Sequence, residues 1–333
     1  MAANNLNADL RLAVVGFGEI AQKHIAALRA LGANIVAAVN RSPEGRQRAE
    51  RDGGIAHTYA DVAAMVERER PSGILVSTSV RSQFDAIRQL IPFDIPLLIE
   101  KPPALSLADW TLLRNAMEAR RLPVMMALNR RYYSVYERAL ERMGGIEAVT
   151  SVSVEWSEDP AKMLAVGHPA EILPLLNFAN SIHGIDLLTF FAGIVRGPQI
   201  WGRNLGDSGQ EFRWQMAVDG LTERGARASF TSNWDVPGRW RVVVDATDVR
   251  MVSAPLETAV LLARNRAQET IEPSAEDRQF KEGFYAQASA FLQLIRDGNY
   301  QAWPMATLDE VSADMHLAEL LTNVCQTATI VEA

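Results

Sequence analysis

The first 128 residues alternate short apolar runs with helical patterns, and no run alternates apolar with polar. RLAVV at 11–15, IVAAV at 35–39, ILV at 74–76, Pro96–Ile99 and PVMMAL at 123–128 are apolar throughout. Strands of that kind are buried on both faces, which requires a parallel sheet with helices on either side. The intervening segments carry helix signals. Ile20, His24, Ala27, Leu28 and Leu31 share one helical face, and Gly32 ends that segment. Ser42 caps a helix that begins at Pro43, Asp61 caps one running to about Arg70, and Ser106 caps one running to about Arg120. Arg81 to Ile91 reads as a further helix. The fold class expected here is α/β, an N-terminal doubly wound (Rossmann) parallel sheet.

After about Asn129 the pattern changes. In Phe212, Trp214, Met216 and Val218 the apolar side chains fall on one face, and Arg213 and Gln215 on the other. Residues 149–156, 226–234 and 239–244 read similarly, with a turn at Asp245–Asp248. This predicts a C-terminal α/β domain with an open, mainly antiparallel sheet. One long helix is expected over 177–192, and two more over about 279–297 and 308–326. The expected division is a dinucleotide-binding domain at 1–128 and a substrate-binding and oligomerisation domain at 129–333. The final helices are free to pack back on the first domain.

With 333 residues, 48% of them hydrophobic, the chain supports two such cores. Its net charge of −7 argues against nucleic acid or anionic membrane surfaces as partners. A single cysteine, Cys325, allows no intrachain disulfide and makes a cysteine-based metal site implausible. It reads as a small core side chain on the last helix. The N-terminus lacks a basic region followed by an apolar run, and no stretch is long enough to span a bilayer. A cytoplasmic location is expected, with no metal.

Gly16-Phe17-Gly18-Glu19-Ile20-Ala21 is a G-x-G-x-x-A placed between a strand and a helix. Gly16 permits the tight turn, Gly18 removes a side chain where a pyrophosphate approaches, and Ala21 allows close packing of helix on strand. The helix N-terminus then offers N–H groups to the phosphates. The alternative is a glycine-rich packing turn. After the second strand stand Asn40, Arg41 and Ser42, where an NAD site usually carries an acid for the ribose 2′-hydroxyl. Arg41 suits a 2′-phosphate, so NADP(H) is the preferred cofactor and NAD(H) a possible one. The alternative is a solvated loop arginine. Lys101, in Glu100-Lys101-Pro102, follows the fifth strand at the ligand-facing edge and is either a proton-handling lysine or an ordinary surface one. Asn180, His183 and Asp186 recur every three residues along the 177–192 segment. A histidine on an apolar helix is otherwise a core residue.

Together these features resemble the glucose–fructose oxidoreductase and inositol dehydrogenase family (Gfo/Idh/MocA). The resemblance rests on GFGEIA at 16–21, IEKP at 99–102, NRRY at 129–132, SIHGID at 181–186 and GFYAQASAFLQLIRDG near the end. It implies NAD(P)-dependent oxidation or reduction of a sugar, cyclitol or nucleotide sugar, with Lys101, His183 and Asp186 as catalytic residues. It further implies cofactor contacts from Gly16, Phe17, Gly18, Glu19, Ile20, Asn40, Arg41, Ser42, Ser77, Thr78, Glu100 and Lys101. Arg130, Tyr132, Asn180 and His183 join Lys101 on the substrate side, with Arg131 and Trp156 as further lining candidates. The two arginines fit a solvated helix start equally well.

Two departures from the family pattern stand out. Ala179 occupies the position, four before the histidine, that usually carries an aspartate, so either Asn180 or Asp186 holds the imidazole or His183 merely shapes the pocket. After the fourth strand Thr78 matches, but the usual proline and the later histidine do not; the run is Ser77 to Gln83. Two rival functions remain: transient use of bound NAD for lyase or hydrolase chemistry, and a non-catalytic cofactor-binding sensor or subunit. A homodimer or homotetramer is expected, because Trp201, Trp214, Trp234 and Trp240 lie in or near a sheet with one uncovered face.

Overall fold

The computed structural model describes residues 7–206, 212–234, 236, 238, 240–298, 302–327 and 331–332. The chain divides into two compact units, residues 1–132 with 275–307, and residues 133–274 with 308–333.

The first unit opens with β1 (Arg11–Val15), α1 (Glu19–Ala30), β2 (Asn34–Val39), α2 (Pro43–Arg51), β3 (His57–Tyr59) and α3 (Val62–Glu69). It continues with β4 (Gly73–Val76), α4 (Val80–Leu90), β5 (Leu97–Ile99), α5 (Leu107–Ala119) and β6 (Val124–Met126). All six strands are parallel, in the order β3-β2-β1-β4-β5-β6. The doubly wound sheet expected from the apolar runs is therefore present. The caps are also as read: Ser42, Asp61 and Ser106 each accept a hydrogen bond from the backbone N–H three residues on. The sixth strand is shorter than PVMMAL suggests, three residues long.

Register fixes what lies at the carboxyl edge. Val15 is level with Val39 and Val76, and Val76 with Ile99. The next residues in chain order, Gly16, Asn40, Ser77 and Glu100, are therefore aligned along one edge. In such sheets the ligand crevice lies outside this edge, where the strand order reverses between β1 and β4.

The second unit begins with α6 (Ser134–Met143), β7 (Val149–Glu155), α7 (Pro160–Ala165), α8 (Leu176–Ala179) and α9 (Ile182–Ala192). Then come β8 (Val195–Asn204), β9 (Trp214–Thr222), β10 (Arg227–Asn233), β11 (Arg241–Ala246), β12 (Val249–Ser253), β13 (Ala259–Ala263) and β14 (Glu269–Ile271). The first unit resumes with α10 (Ala275–Gln279) and α11 (Phe284–Asp297), and the second with α12 (Leu308–Thr327) and β15 (Val331–Glu332). The nine-stranded sheet runs β14-β13-β12-β11-β7-β10-β9-β8-β15. Only the central β7–β10 pair is parallel.

Three expectations need correction. The single helix over 177–192 is two, α8 and α9, because Asn180 (φ −133°, ψ −49°) leaves the helical region. The helix over 279–297 begins only at Phe284, after the left-handed Gly283 (φ +76°). The tryptophans do not form an uncovered patch. Trp214 and Trp234 are buried and stack with centroids 4.7 Å apart, and Trp240 stacks on buried Trp156 at 4.2 Å. Of the four, Trp201 alone counts as exposed, at 39%. Cys325 is buried on α12, and burial pushes its thiol up to about 12.

Trp156 is held by Trp240 on one side and by α9 on the other. A Cβ on Gly184 would lie 2.5 Å from the Trp156 indole. Ala is the better helix former by about 1 kcal/mol, but overpacking against a ring that cannot move costs about 1–3 kcal/mol. Gly184→Ala is expected to lower unfolding free energy in urea by up to about 2 kcal/mol; greater stability than wild type would contradict this packing.

Candidate functional site

The G-x-G turn is built as the sequence suggests. Gly16 has φ +90°, and a Cβ there would lie 2.3 Å from the Ser77 carbonyl oxygen. Any other residue would push β1 and β4 apart at their carboxyl ends. Gly18, by contrast, is exposed, and a Cβ on it would meet nothing within 4 Å. Gly18 is also the N-cap of α1, with no side-chain capping bond. The first turn thus presents backbone N–H groups and the positive end of the helix dipole to open space. Glu19 would oppose an anion there, but its carboxylate lies 2.6 Å from Lys23, which holds it below its usual range.

Around this turn lies a cleft of about 560 Å³. Of the proposed cofactor residues, Gly16, Phe17, Gly18, Glu19, Ile20, Asn40, Arg41, Ser42, Ser77 and Thr78 all line it. Glu100 and Lys101 do not. Arg48 of α2 also lines the cleft and was not anticipated; it is one helical turn and more beyond the Ser42 cap, where the sequence offers no motif. Arg41 is exposed and donates to Ser82 Oγ at 2.7 Å, while Arg46 donates to the Asn40 and Arg41 carbonyls at 2.9 Å each. The Ser42 hydroxyl accepts from Gly45 N at 3.0 Å, so it serves as the cap of α2.

The shape and donors of this cleft fit a dinucleotide. The void beside Gly18 and the uncapped α1 N-terminus suit a pyrophosphate, and the Asn40–Ser42 loop reaches the position of an adenosine ribose in this fold.

Beneath the Lys101 position is a buried polar network. His24 of α1, fully buried, shares a 2.7 Å hydrogen bond between Nε2 and Glu100 Oε1. Glu100 Oε2 accepts from Lys101 N at 3.1 Å. The His24 ring packs on Phe284 with centroids 4.3 Å apart. His24 reads in the sequence only as one member of an apolar helical face, since its partner is 76 residues away. Asn129, Arg130, Arg131 and Tyr132 form a short 3-10 helix and are all buried. The two arginines are therefore not the solvated residues of a helix start.

In the second unit, His183 and Asp186 lie on α9 and are both buried. Asn180 does not extend that helix. Its Nδ2 donates to Glu158 Oε2 at 2.8 Å, and Glu158 Oε1 accepts from Ser181 Oγ at 2.8 Å and Trp156 Nε1 at 2.9 Å. Glu158 is only 5% exposed. A buried carboxylate thus sits against the N-terminal end of the histidine-bearing helix, where the dipole favours it. The Asn180 side-chain amide is thus engaged by Glu158 through its Nδ2. Glu158 follows an alternating strand, and nothing local marks it as functional. Among the described residues no group of acids, histidines and cysteine is arranged to hold a metal ion, and no helix is long and apolar enough to cross a membrane.

Residues 10–128 match the family described as an oxidoreductase family with an NAD-binding Rossmann fold, Gfo/Idh/MocA. That match covers the first domain, about a third of the chain, and there the chain is similar to this oxidoreductase family. A D-apiose dehydrogenase from Paraburkholderia graminis is 30% identical over 121 residues, 36% of this chain and 32% of the relative. The chain therefore spans about a third of that relative's length in the match. An Agrobacterium radiobacter oxidoreductase, solved with NAD+, L-tartaric acid and magnesium, superimposes over 97% of this chain and 98% of its own. The TM-score is 0.78 at 16% identity. UDP-N-acetylglucosamine 3-dehydrogenase from Acidithiobacillus ferrooxidans gives 0.76 at 15%, over 96% and 98% of the two chains. At such identities the likeness is one of fold.

The two glycines predict opposite outcomes. Gly16→Ala should cost stability, since it combines a left-handed φ with a backbone clash. Gly18→Ala should leave the melting temperature within about 2 °C of wild type, because its Cβ enters open space, yet weaken nicotinamide dinucleotide binding at least about tenfold. Melting curves and binding titrations on both variants check this. Unchanged affinity in Gly18→Ala would show that the open space is not a phosphate site.

Proposed function

We propose that the protein is an NAD(P)-dependent dehydrogenase or reductase acting on a secondary alcohol or ketone of a sugar-like substrate. What carries this reading is the cleft at the α1 N-terminus, with Gly18 open to it, on the same strand edge as the Glu100–Lys101 end of β5. The D-apiose dehydrogenase match over the first domain supports a sugar as substrate class.

The α1 N-terminus and Gly18 would hold the pyrophosphate, and Arg41, with Arg48 near it, the adenosine end. When bound, the nicotinamide supplies hydride transfer. Lys101 holds or donates the proton of the substrate oxygen, since a lysine at this edge is the first cation past β5. Its backbone is fixed by Glu100, whose carboxylate is in turn held by His24. His183 is the second acid/base group and Asp186 a substrate-side carboxylate. Glu158 holds Asn180 and Ser181 just before α9, the helix that carries His183. Arg130, Tyr132 and Asn180 complete the substrate side.

NADP(H) is the preferred cofactor on this reading, because Arg41 presents a planar fork where an acid would select NAD. The chain is read as cytoplasmic. A homodimer or homotetramer uses the outer face of the second unit's sheet, which exposes Trp201, Leu221 and Leu262; light scattering reads the mass directly.

A panel of sugars including D-apiose, with UDP-N-acetylglucosamine, NAD+ and NADP+, monitored by nicotinamide absorbance, tests the reading. Net cofactor reduction with at least one sugar is expected, and cofactor binding without turnover on any of them would favour a sensor or subunit. Lys101→Met should lower turnover about 10²-fold or more and leave cofactor affinity nearly unchanged. Arg41→Ala should reduce the NADPH-over-NADH preference by about tenfold. Equal affinities for the two cofactors in the wild type would refute the NADP assignment.

A further inference from the structure

Gln83 belongs to no motif that the proposed chemistry uses, yet its side-chain amide is bonded at both ends. It sits in the first turn of α4 and is 1% exposed. Its Oε1 accepts from Thr78 N at 3.1 Å and from Thr78 Oγ1 at 2.7 Å. Its Nε2 donates to the Val76 carbonyl at 3.1 Å and the Glu100 carbonyl at 2.8 Å. An amide has two donors and two acceptor sites, and here all four are used.

The positions of these partners matter. Thr78 lines the dinucleotide cleft. The Glu100 carbonyl belongs to the peptide bond that carries Lys101. Sheet hydrogen bonding between β4 and β5 ends with Glu100 N donating to the Val76 carbonyl at 2.8 Å. The Gln83 amide continues the link past that point, tying the peptide after Glu100 to the loop after β4. Without it, the two chain ends that leave the sheet here would lose their shared anchor.

We propose that Gln83 is a positioning residue that locks the cofactor-lining Thr78 loop to the Lys101 peptide, so that cofactor seating and lysine placement are set by one side chain. This rests on the dehydrogenase reading above. A purely structural role would instead make Gln83 a stabiliser of α4, with an effect on melting alone.

Two variants separate these possibilities. Gln83→Met keeps the volume and removes all four bonds. Gln83→Glu keeps the acceptor for Thr78 but sets a second oxygen against the Val76 and Glu100 carbonyls. On protonation, the introduced carboxyl regains one donor. The probes are NADPH binding, followed by nicotinamide fluorescence and needing no substrate, and turnover of whichever sugar the wild type oxidises in the panel. Gln83→Met is expected to weaken NADPH binding about tenfold and to lower turnover about 10²-fold, the scale of a misplacement near 1 Å. The Gln83→Glu deficit should shrink as pH falls from about 8 to about 6, because a raised carboxyl pKa follows from facing two carbonyls in a buried site. His24 and Glu100, the titratable groups in the adjoining network, are present in both variants, so the difference between their pH profiles belongs to the introduced carboxyl.

Affinity and turnover within twofold of wild type in folded Gln83→Met would overturn the proposal. So would a Gln83→Glu deficit that shows no pH dependence, which is decisive even if Gln83→Met does not fold. A wild-type chain that binds no nicotinamide cofactor refutes the dehydrogenase reading itself, and this proposal with it. Normal wild-type binding and turnover with unaffected variants refutes only the role of Gln83.

Discussion

The approach of Gly16 to the Ser77 carbonyl sets the geometry on which the first unit depends. With φ +90° and only 2.3 Å between that carbonyl and the place a Cβ would occupy, the turn after β1 lies directly against the end of β4. This contact brings the start of α1 to the point where the strand order reverses. It leaves the α1 N-terminus open on one side, beside Gly18. The cleft follows from two glycines in different surroundings: one makes room for the backbone of β4, and the other borders open space.

A second layer of constraint lies just below the edge. His24 ties α1 to Glu100, and Gln83 ties α4 and the Thr78 loop to the carbonyl of the same residue. Glu100 is therefore fixed through both its side chain and its backbone. Lys101, one residue on, inherits that placement. In this buried network Gln83 is saturated, whereas His24 is bonded through Nε2 and its buried Nδ1 has no hydrogen-bond partner among the described residues. The glutamate of Glu100-Lys101-Pro102 acts here as an anchor for the backbone that carries the lysine.

The parts legible in the sequence are those determined by neighbours in the chain. Strand runs, caps at Ser42, Asp61 and Ser106, and the G-x-G turn all depend on residues within one or two turns of each other. The parts that were not legible depend on distant partners. His24 looked like an apolar-face residue because Glu100 is 76 positions away. Glu158 has no local signal in the sequence, because the Asn180 and Ser181 it holds are 22 and 23 positions away. That capture also explains the misread helix: 177–192 has an unbroken helical pattern, but Asn180 turns toward Glu158 and interrupts it. The tryptophans were misread for a similar reason. Their places on alternating strands were apparent, but stacking in pairs, Trp214 on Trp234 and Trp156 on Trp240, removes most of their surface from solvent.

The central claim is that the open edge at Gly16, Gly18, Asn40–Ser42 and Ser77–Thr78 is a dinucleotide site. Amide hydrogen exchange of the wild-type chain, with and without saturating NADPH, tests it most directly. Slowed exchange is expected at the first turn of α1, in the loop after β2 and at residues 77–83. Exchange unchanged in all three segments, or protection confined to the second unit, would contradict the account.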